Sequence, residues 1–153
     1  MTMDMQSDSV PNLPSRSTST YSRKRRLYCT NGLYLEINHN GTVKGTMNEH
    51  SPLVVMEIVP VGTNLVCIRS VHTGLFLAMS EGEVYTTKTQ NEECVFKDTL
   101  SKQFCDNYMS KKYLSKKLVI GLMRTGSVVA VPANSAKDTT KYATQFITKL
   151  PGT

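Results

Sequence analysis

Residues 74–94, GLFLAMSEGEVYTTKTQNEEC, decide the fold. Leu75, Leu77 and Met79 alternate with Phe76, Ala78 and Ser80, the period of a half-buried strand. Glu81-Gly82 breaks the run, Val84-Tyr85 resumes it, and a polar loop closes on Cys94-Val95-Phe96. A glycine beside an acidic residue between two β-rich runs signals a hairpin.

Two other stretches repeat this pattern. Leu33, Leu35 and Ile37 alternate with Tyr34 and Glu36, Asn40-Gly41 turns the chain, and Val43 leads back. Asn-Gly there predicts a primed turn with positive φ. Leu118-Val119-Ile120-Gly121-Leu122 meets Thr125-Gly126 and returns through 128–131. Laid over one another, Leu35, Leu77 and Ile120 coincide, as do Ile37, Met79 and Leu122. So do Gly41, Gly82 and Gly126, and the valines 43, 84 and 128. Each unit carries a further strand pair, drawn from the starts at Leu27 and 107–109 and from 53–61, 65–69, 94–99 and 142–147. That makes twelve short strands. Three four-stranded units cannot close a propeller, which needs at least four blades. The expected fold is all-β: a β-trefoil, six barrel strands capped by three hairpins, with a core shared among three pseudo-symmetric repeats.

Composition agrees with one soluble domain. The chain has 153 residues, 39% hydrophobic and 20% charged. No apolar run approaches the roughly 20 residues that span a bilayer, so no membrane insertion is expected. The first residues lack the apolar stretch of a secretory signal, which has either been removed or was never there. Residues 1–22 are polar and aperiodic and read as a disordered tail. Arg23-Lys24-Arg25-Arg26 follows, and four readings stay open: nuclear import signal, processing site, anion-binding edge or solvated linker. The expected organisation is a tail over 1–26 and a folded domain over 27–151.

Charge is unevenly spread. Residues 27–101 hold four basic and eight acidic side chains, whereas 102–153 hold nine basic and two acidic. Such asymmetry predicts an electropositive pole and a polyanionic partner. Cys29, Cys67, Cys94 and Cys105 show no metal-ligand spacing, so neither metal nor cofactor is expected. Cys67 and Cys94 fall within apolar patterns and read as buried thiols. The three histidines and the adjacent Glu92-Glu93 form no catalytic motif, and an enzyme is not expected.

Six collinear motifs resemble the fibroblast growth factor family. They are LYCTNG from Leu27, GTVKGT from Gly41, LFLAM from Leu75, NEECVF from Asn91, YMSKK from Tyr108 and GLMRTG from Gly121. The similarity runs from about Arg25 to Pro151, and the family folds as a β-trefoil. The resemblance implies a secreted mitogen, monomeric alone, that binds the immunoglobulin-like ectodomain of a receptor tyrosine kinase with heparan sulfate as co-ligand. It implies no nucleic-acid partner.

By the same resemblance, Tyr28, Glu93, Tyr108, Ile147 and Leu150 fall at receptor-contacting positions. Cys105 and Asp106 replace the family's Tyr-Asn pair there, with Cys105 expected as an exposed, oxidisable thiol. Asn31 and Arg124 match glycan-binding positions, and Lys116, Lys117, Lys137 and Lys141 lie in the corresponding region. The loop 127–133 is uncharged where the family is basic, which predicts a weaker glycan site displaced toward Lys111, Lys112, Lys116 and Lys117. An intracellular binding module on the same fold is the alternative, and a sugar-binding trefoil is a third reading that lacks the threefold-repeated aromatic pocket.

Overall fold

The computed structural model describes residues 21–101, 103–133 and 142–152. Its strands are β1 (Arg23–Cys29), β2 (Tyr34–Ile37), β3 (Val43–Thr46), β4 (Val55–Gly62), β5 (Leu65–Ser70), β6 (Phe76–Met79) and β7 (Val84–Thr87). The chain continues through β8 (Phe96–Leu100), β9 (Asp106–Ser110), β10 (Leu118–Met123), β11 (Val128–Pro132), β12 (Tyr142–Ala143) and β13 (Phe146–Lys149).

Six of these close a ring. β1 pairs with β4, β4 with β5, β5 with β8, β8 with β9, β9 with β13, and β13 returns to β1, all antiparallel. β2–β3, β6–β7 and β10–β11 are hairpins, each leaning on the barrel strand before it: Tyr28 opposite Tyr34, Arg69 opposite Phe76, Met109 opposite Val119. This threefold recurrence is the β-trefoil. Thirteen strand segments stand among the described residues where the repeats predict twelve. The last one is bent: Tyr142–Ala143 pairs with hairpin strand β10, and Phe146–Lys149 crosses to barrel strands β1 and β9.

The superposed positions form the core. Leu35, Leu77, Ile120, Ile37, Met79 and Leu122 are all essentially inaccessible and share one cluster with Leu27, Ile68, Phe96 and Phe146. Burying each such side chain contributes about 1.5–3 kcal/mol. The turns differ more than their glycines imply. In the first and third hairpins, loops of three residues close on Asn38–Thr42 and Met123–Ser127 backbone bonds, with Gly41 at φ 90° and Gly126 at φ 98°. Asn40 has no positive φ, so the Asn-Gly turn is a type I turn ending in a left-handed glycine rather than the primed turn expected. The second hairpin is one residue shorter, closing Ser80 on Glu83, and Gly82 needs no positive φ. Gly126 also lies against hairpin one: the Gly45 N–H donates to its carbonyl at 2.7 Å, tying repeat one to repeat three.

Two expected boundaries move. Leu53 belongs to a one-turn 3-10 segment, Pro52–Val54, capped by the Ser51 hydroxyl, so β4 starts at Val55. The basic run Arg23–Arg26 is strand, paired with residues 55–58 of β4, and not the end of a loose tail. Long cationic side chains tolerate an outer strand position because their stems pack while their heads stay wet. Residues 1–20 lie outside the described residues.

Candidate functional site

On β1, Leu27 and Cys29 point into the core, and strand alternation turns Tyr28 outward. Register then sets it beside Ile147 of β13 and Tyr34 of β2. The two tyrosine rings lie 5.0 Å apart, and the Lys149 ammonium sits 4.0 Å from the centroid of Tyr28. Lys149 also donates to the Tyr34 hydroxyl at 3.4 Å. Arg26 frames the other side. Its Nε donates to the Leu150 carbonyl at 3.0 Å and its Nη1 pairs with Glu49 at 3.4 Å. Ile147 and Leu150 leave 40% and 67% of their surface in water. The result is an aromatic and aliphatic patch with two fixed cations. Three expected contacts (Tyr28, Ile147, Leu150) converge here. Arg26 and Lys149 join them unforeseen, because in sequence one belongs to a basic run and the other to a lysine-rich tail.

Other receptor candidates are relocated. Tyr108 is 1% exposed, its ring 5.8 Å from Phe146, so it is a core residue and not a surface anchor. Cys105 and Asp106 are also buried, at 6% and 1%. Cys105 is therefore not an exposed thiol, and Asp106 adds no negative charge to the surface. The physical reason is register: Asp106 stands between Leu100 of β8 and Phe146 of β13, so the start of β9 is walled on both sides. The tip of the β8–β9 turn presents Phe104 instead, 75% exposed. The other thiols are equally sequestered. Burial pushes Cys29 up to about 11 and Cys67 up to about 12, which leaves almost no thiolate at neutral pH.

Glu93 sits apart, in the 3-10 turn Glu92–Cys94 capped by the Asn91 side chain. Its carboxylate accepts from the Tyr85 hydroxyl and, at 2.6 Å, from the Tyr113 hydroxyl, while Lys112 approaches to 3.6 Å. These hydrogen bonds, Tyr113 first and then Tyr85, hold the carboxyl below the ordinary glutamate value. Reciprocally, bonding to Glu93 pushes Tyr85 up to about 12. Glu93 thus ties hairpin two to the β9–β10 connection.

The cationic candidates divide. Asn31 donates to the Leu122 carbonyl at 2.8 Å and accepts from the Leu33 N–H, which places it beside the turn that bears exposed Arg124. Lys117 stands just before the six-residue β10, so that strand's length, about 20 Å at some 3.3 Å per residue, separates it from that turn, and Lys111, Lys112 and Lys116 lie in the connection leading to it. Lys112 and Lys116 pair with Glu93 and Glu81 of the acidic second repeat. Lys111, Lys117 and Arg124 make no ion pair among the described residues. The expected single pole is therefore two separated sets, one half neutralised. Lys137 and Lys141 lie outside the described residues.

Comparison with known proteins agrees with this architecture. The chain is 34% identical over 133 residues to fibroblast growth factor 1 of Xenopus laevis, covering 86% of this chain and 82% of that one. To fibroblast growth factor 1 of Cynops pyrrhogaster it is 33% identical over 117 residues, 75% and 77% of the two chains. The family description "Fibroblast growth factor" matches residues 23–147, a span that begins with the first residue of β1 and ends within β13. With a six-stranded barrel, three hairpin caps and that match over most of its length, the chain belongs to the fibroblast growth factor family.

Proposed function

We propose that the protein is a secreted growth factor that binds and activates a receptor tyrosine kinase through its immunoglobulin-like ectodomain, with heparan sulfate as co-ligand. The observation that carries this reading is the β1/β13 patch. A half-buried tyrosine flanked by exposed Ile147 and Leu150, with Lys149 over its ring and Arg26 bracing the Leu150 carbonyl, has the make-up of a protein-interface hot spot: an aromatic anchor ringed by apolar contacts. Glycan binding falls to Asn31 and Arg124, with Lys111 and Lys117 as a second contact. Arg124 offers a fork to a sulfate, and lysines act as point charges. With few unpaired cations, retention on immobilised heparin should end at moderate salt through counterion release.

Family membership supports a growth factor rather than an enzyme. Adding the protein to receptor-bearing cells with and without heparin, and reading receptor phosphorylation, tests the proposal. Phosphorylation that Tyr28→Ala abolishes and Arg124→Glu makes heparin-independent or weaker is the expected result. Phosphorylation absent for the wild type on every receptor ectodomain sinks it. An intracellular binding module on the same fold is the second reading, favoured by four cysteines buried without a bond between any two. Capture of a cytosolic segment together with receptor silence selects it.

A further inference from the structure

Of the chain's asparagines, only Asn40 is followed by a residue other than proline and then by Thr or Ser, in Asn40-Gly41-Thr42. That triplet is the acceptor pattern for an N-linked glycan in a secreted protein and calls for a surface loop. The fold supplies one. The triplet forms the tip of hairpin one, between β2 and β3, with Asn40 and Thr42 both exposed. Asn40 Oδ1 accepts from the Thr42 N–H at 3.0 Å, an Asx turn that closes the triplet on itself. The backbone around it is already satisfied. Asn38 N–H donates to the Thr42 carbonyl, Gly41 N–H donates to the Asn38 carbonyl, and the Thr86 hydroxyl of hairpin two donates to the Gly41 carbonyl at 2.6 Å. Asn40 Nδ2 makes no hydrogen bond among the described residues, so a branch placed on it displaces no bond of the fold. The matching turns of the other hairpins hold Glu81 and Thr125 where Asn40 stands, so only the first repeat offers an acceptor.

We propose that Asn40 is a site of N-glycosylation. The inference rests on the secreted reading above, because only a chain that enters the secretory pathway meets the transferase. The donor is an oligosaccharide carried on a lipid pyrophosphate. Asn40 Nδ2 attacks the anomeric carbon, and a C–N bond forms as the C–O bond to the pyrophosphate breaks. The lipid pyrophosphate leaves with the electron pair, and one amide proton passes to a base of the transferase. The Asx turn suits this step: it ties down the amide oxygen and leaves the nitrogen to react. It spans only residues 40–42, so it is open to a nascent segment before the barrel closes. Hairpin one carries Tyr34 at its other end, opposite Thr46, so β2 lies between the glycan and the Tyr28 patch, which stays uncovered. The glycan covers instead the corner where the exposed His39 and His72 rings meet at 5.3 Å.

The full chain is expressed in cultured animal cells in two forms, as it stands and behind a cleavable secretory leader, and its electrophoretic mobility is read before and after peptide N-glycosidase. Expected for the leader-fused chain is a slower band that the glycosidase collapses. Asn40→Gln and Thr42→Ala should each abolish that band, and Thr42→Ser should keep it. Thr42→Ala is the sharper variant, since the Asx turn uses the Thr42 N–H and the substitution removes only the hydroxyl. Glycosidase release in heavy-oxygen water, followed by peptide mass spectrometry, should mark residue 40 and separates glycan loss from spontaneous deamidation at Asn-Gly. Both replaced side chains are exposed, and heparin retention checks that the variants fold. A leader-fused chain exported without a glycan, or a slower band that survives Asn40→Gln, overturns the site. A glycosylated leader-fused chain beside a leaderless one held in the cytosol upholds the site and counts against the secreted reading alone.

Discussion

Tyr28 and Glu93 both sit at junctions between repeats, both fall at receptor-facing positions by sequence, and their surroundings differ in what they leave unspent. At Glu93, two phenols and a lysine consume the carboxylate, and the groups come from hairpin two and the β9–β10 connection. At Tyr28, a lysine rests on the ring face while Ile147 and Leu150 beside it remain in water. A side chain whose bonding capacity is used inside the molecule clasps the fold. One whose apolar face stays open is available to a partner. The difference predicts which substitution moves stability and which moves binding.

The largest effect belongs to the clasp. Hydrogen bonds to a charged group contribute about 1.5–3 kcal/mol each and are not additive, so Glu93→Ala should cost about 3 kcal/mol in denaturant unfolding. Tyr28→Ala should cost about 1 kcal/mol in the same measurement, because its ring is only half covered. Equal losses would erase the distinction. The clasp also predicts a pH dependence. Because the folded-state pKa of Glu93 is depressed, its contribution is complete above the ordinary value of 4.5 and fades as pH falls through the lower folded value. The stability gap between wild type and Glu93→Gln should therefore close on acidification below about 4.5.

Alkaline titration offers an independent view of the same clasp. Tyr85 is held up at about 12, first by its bond to Glu93. The contribution of that neutral phenol is present below the ordinary tyrosine value of 10.0 and lost as pH rises through about 12. In ultraviolet difference spectra, Tyr85 and Tyr113, both held up by their bonds to Glu93, should ionise late in the wild type and earlier in Glu93→Gln. A titration identical in the two proteins would break the assignment.

Binding follows from the other side of the comparison. Removing a central aromatic anchor typically costs at least about 2 kcal/mol, so Tyr28→Ala should weaken ectodomain binding by roughly thirtyfold or more. Glu93→Gln, once corrected for folded fraction, should bind nearly as the wild type does. Surface plasmon resonance on both variants checks the contrast, and a larger loss in Glu93→Gln would make Glu93 the anchor and Tyr28 the clasp.

How much of this is legible in the sequence depends on the range of the signal. The triads of Leu35, Leu77 and Ile120 and of Ile37, Met79 and Leu122 are readable because a period of two and a threefold repeat constrain the same positions. Tyr28, flanked by Leu27 and Cys29, is readable for the same local reason. Tyr108, Cys105 and Asp106 are not, because their burial comes from β8 and β13 closing on β9, a ring closure that no local pattern records. The splitting of the basic residues is hidden likewise. Net charge by segment cannot show that Lys112 and Lys116 point at acids of the preceding repeat.

The smallest effect sharpens the patch itself. Lys149 lies over Tyr28 and against the Tyr34 hydroxyl, yet a cation–π contact at an exposed site contributes only about 0.5–1 kcal/mol. Lys149→Met keeps the apolar stem and removes the charge, so folding stability should fall by less than about 1 kcal/mol. If the ammonium also meets an acidic partner, its loss acts on encounter more than on dwell time, since rim charges govern association and its salt dependence. Ectodomain association should therefore slow and become less sensitive to salt, with dissociation little changed. An unchanged association rate at low salt would leave Lys149 as a brace for the two tyrosines. Arg26, fixed between Glu49 and the Leu150 carbonyl, would then be the remaining fixed cation of that surface.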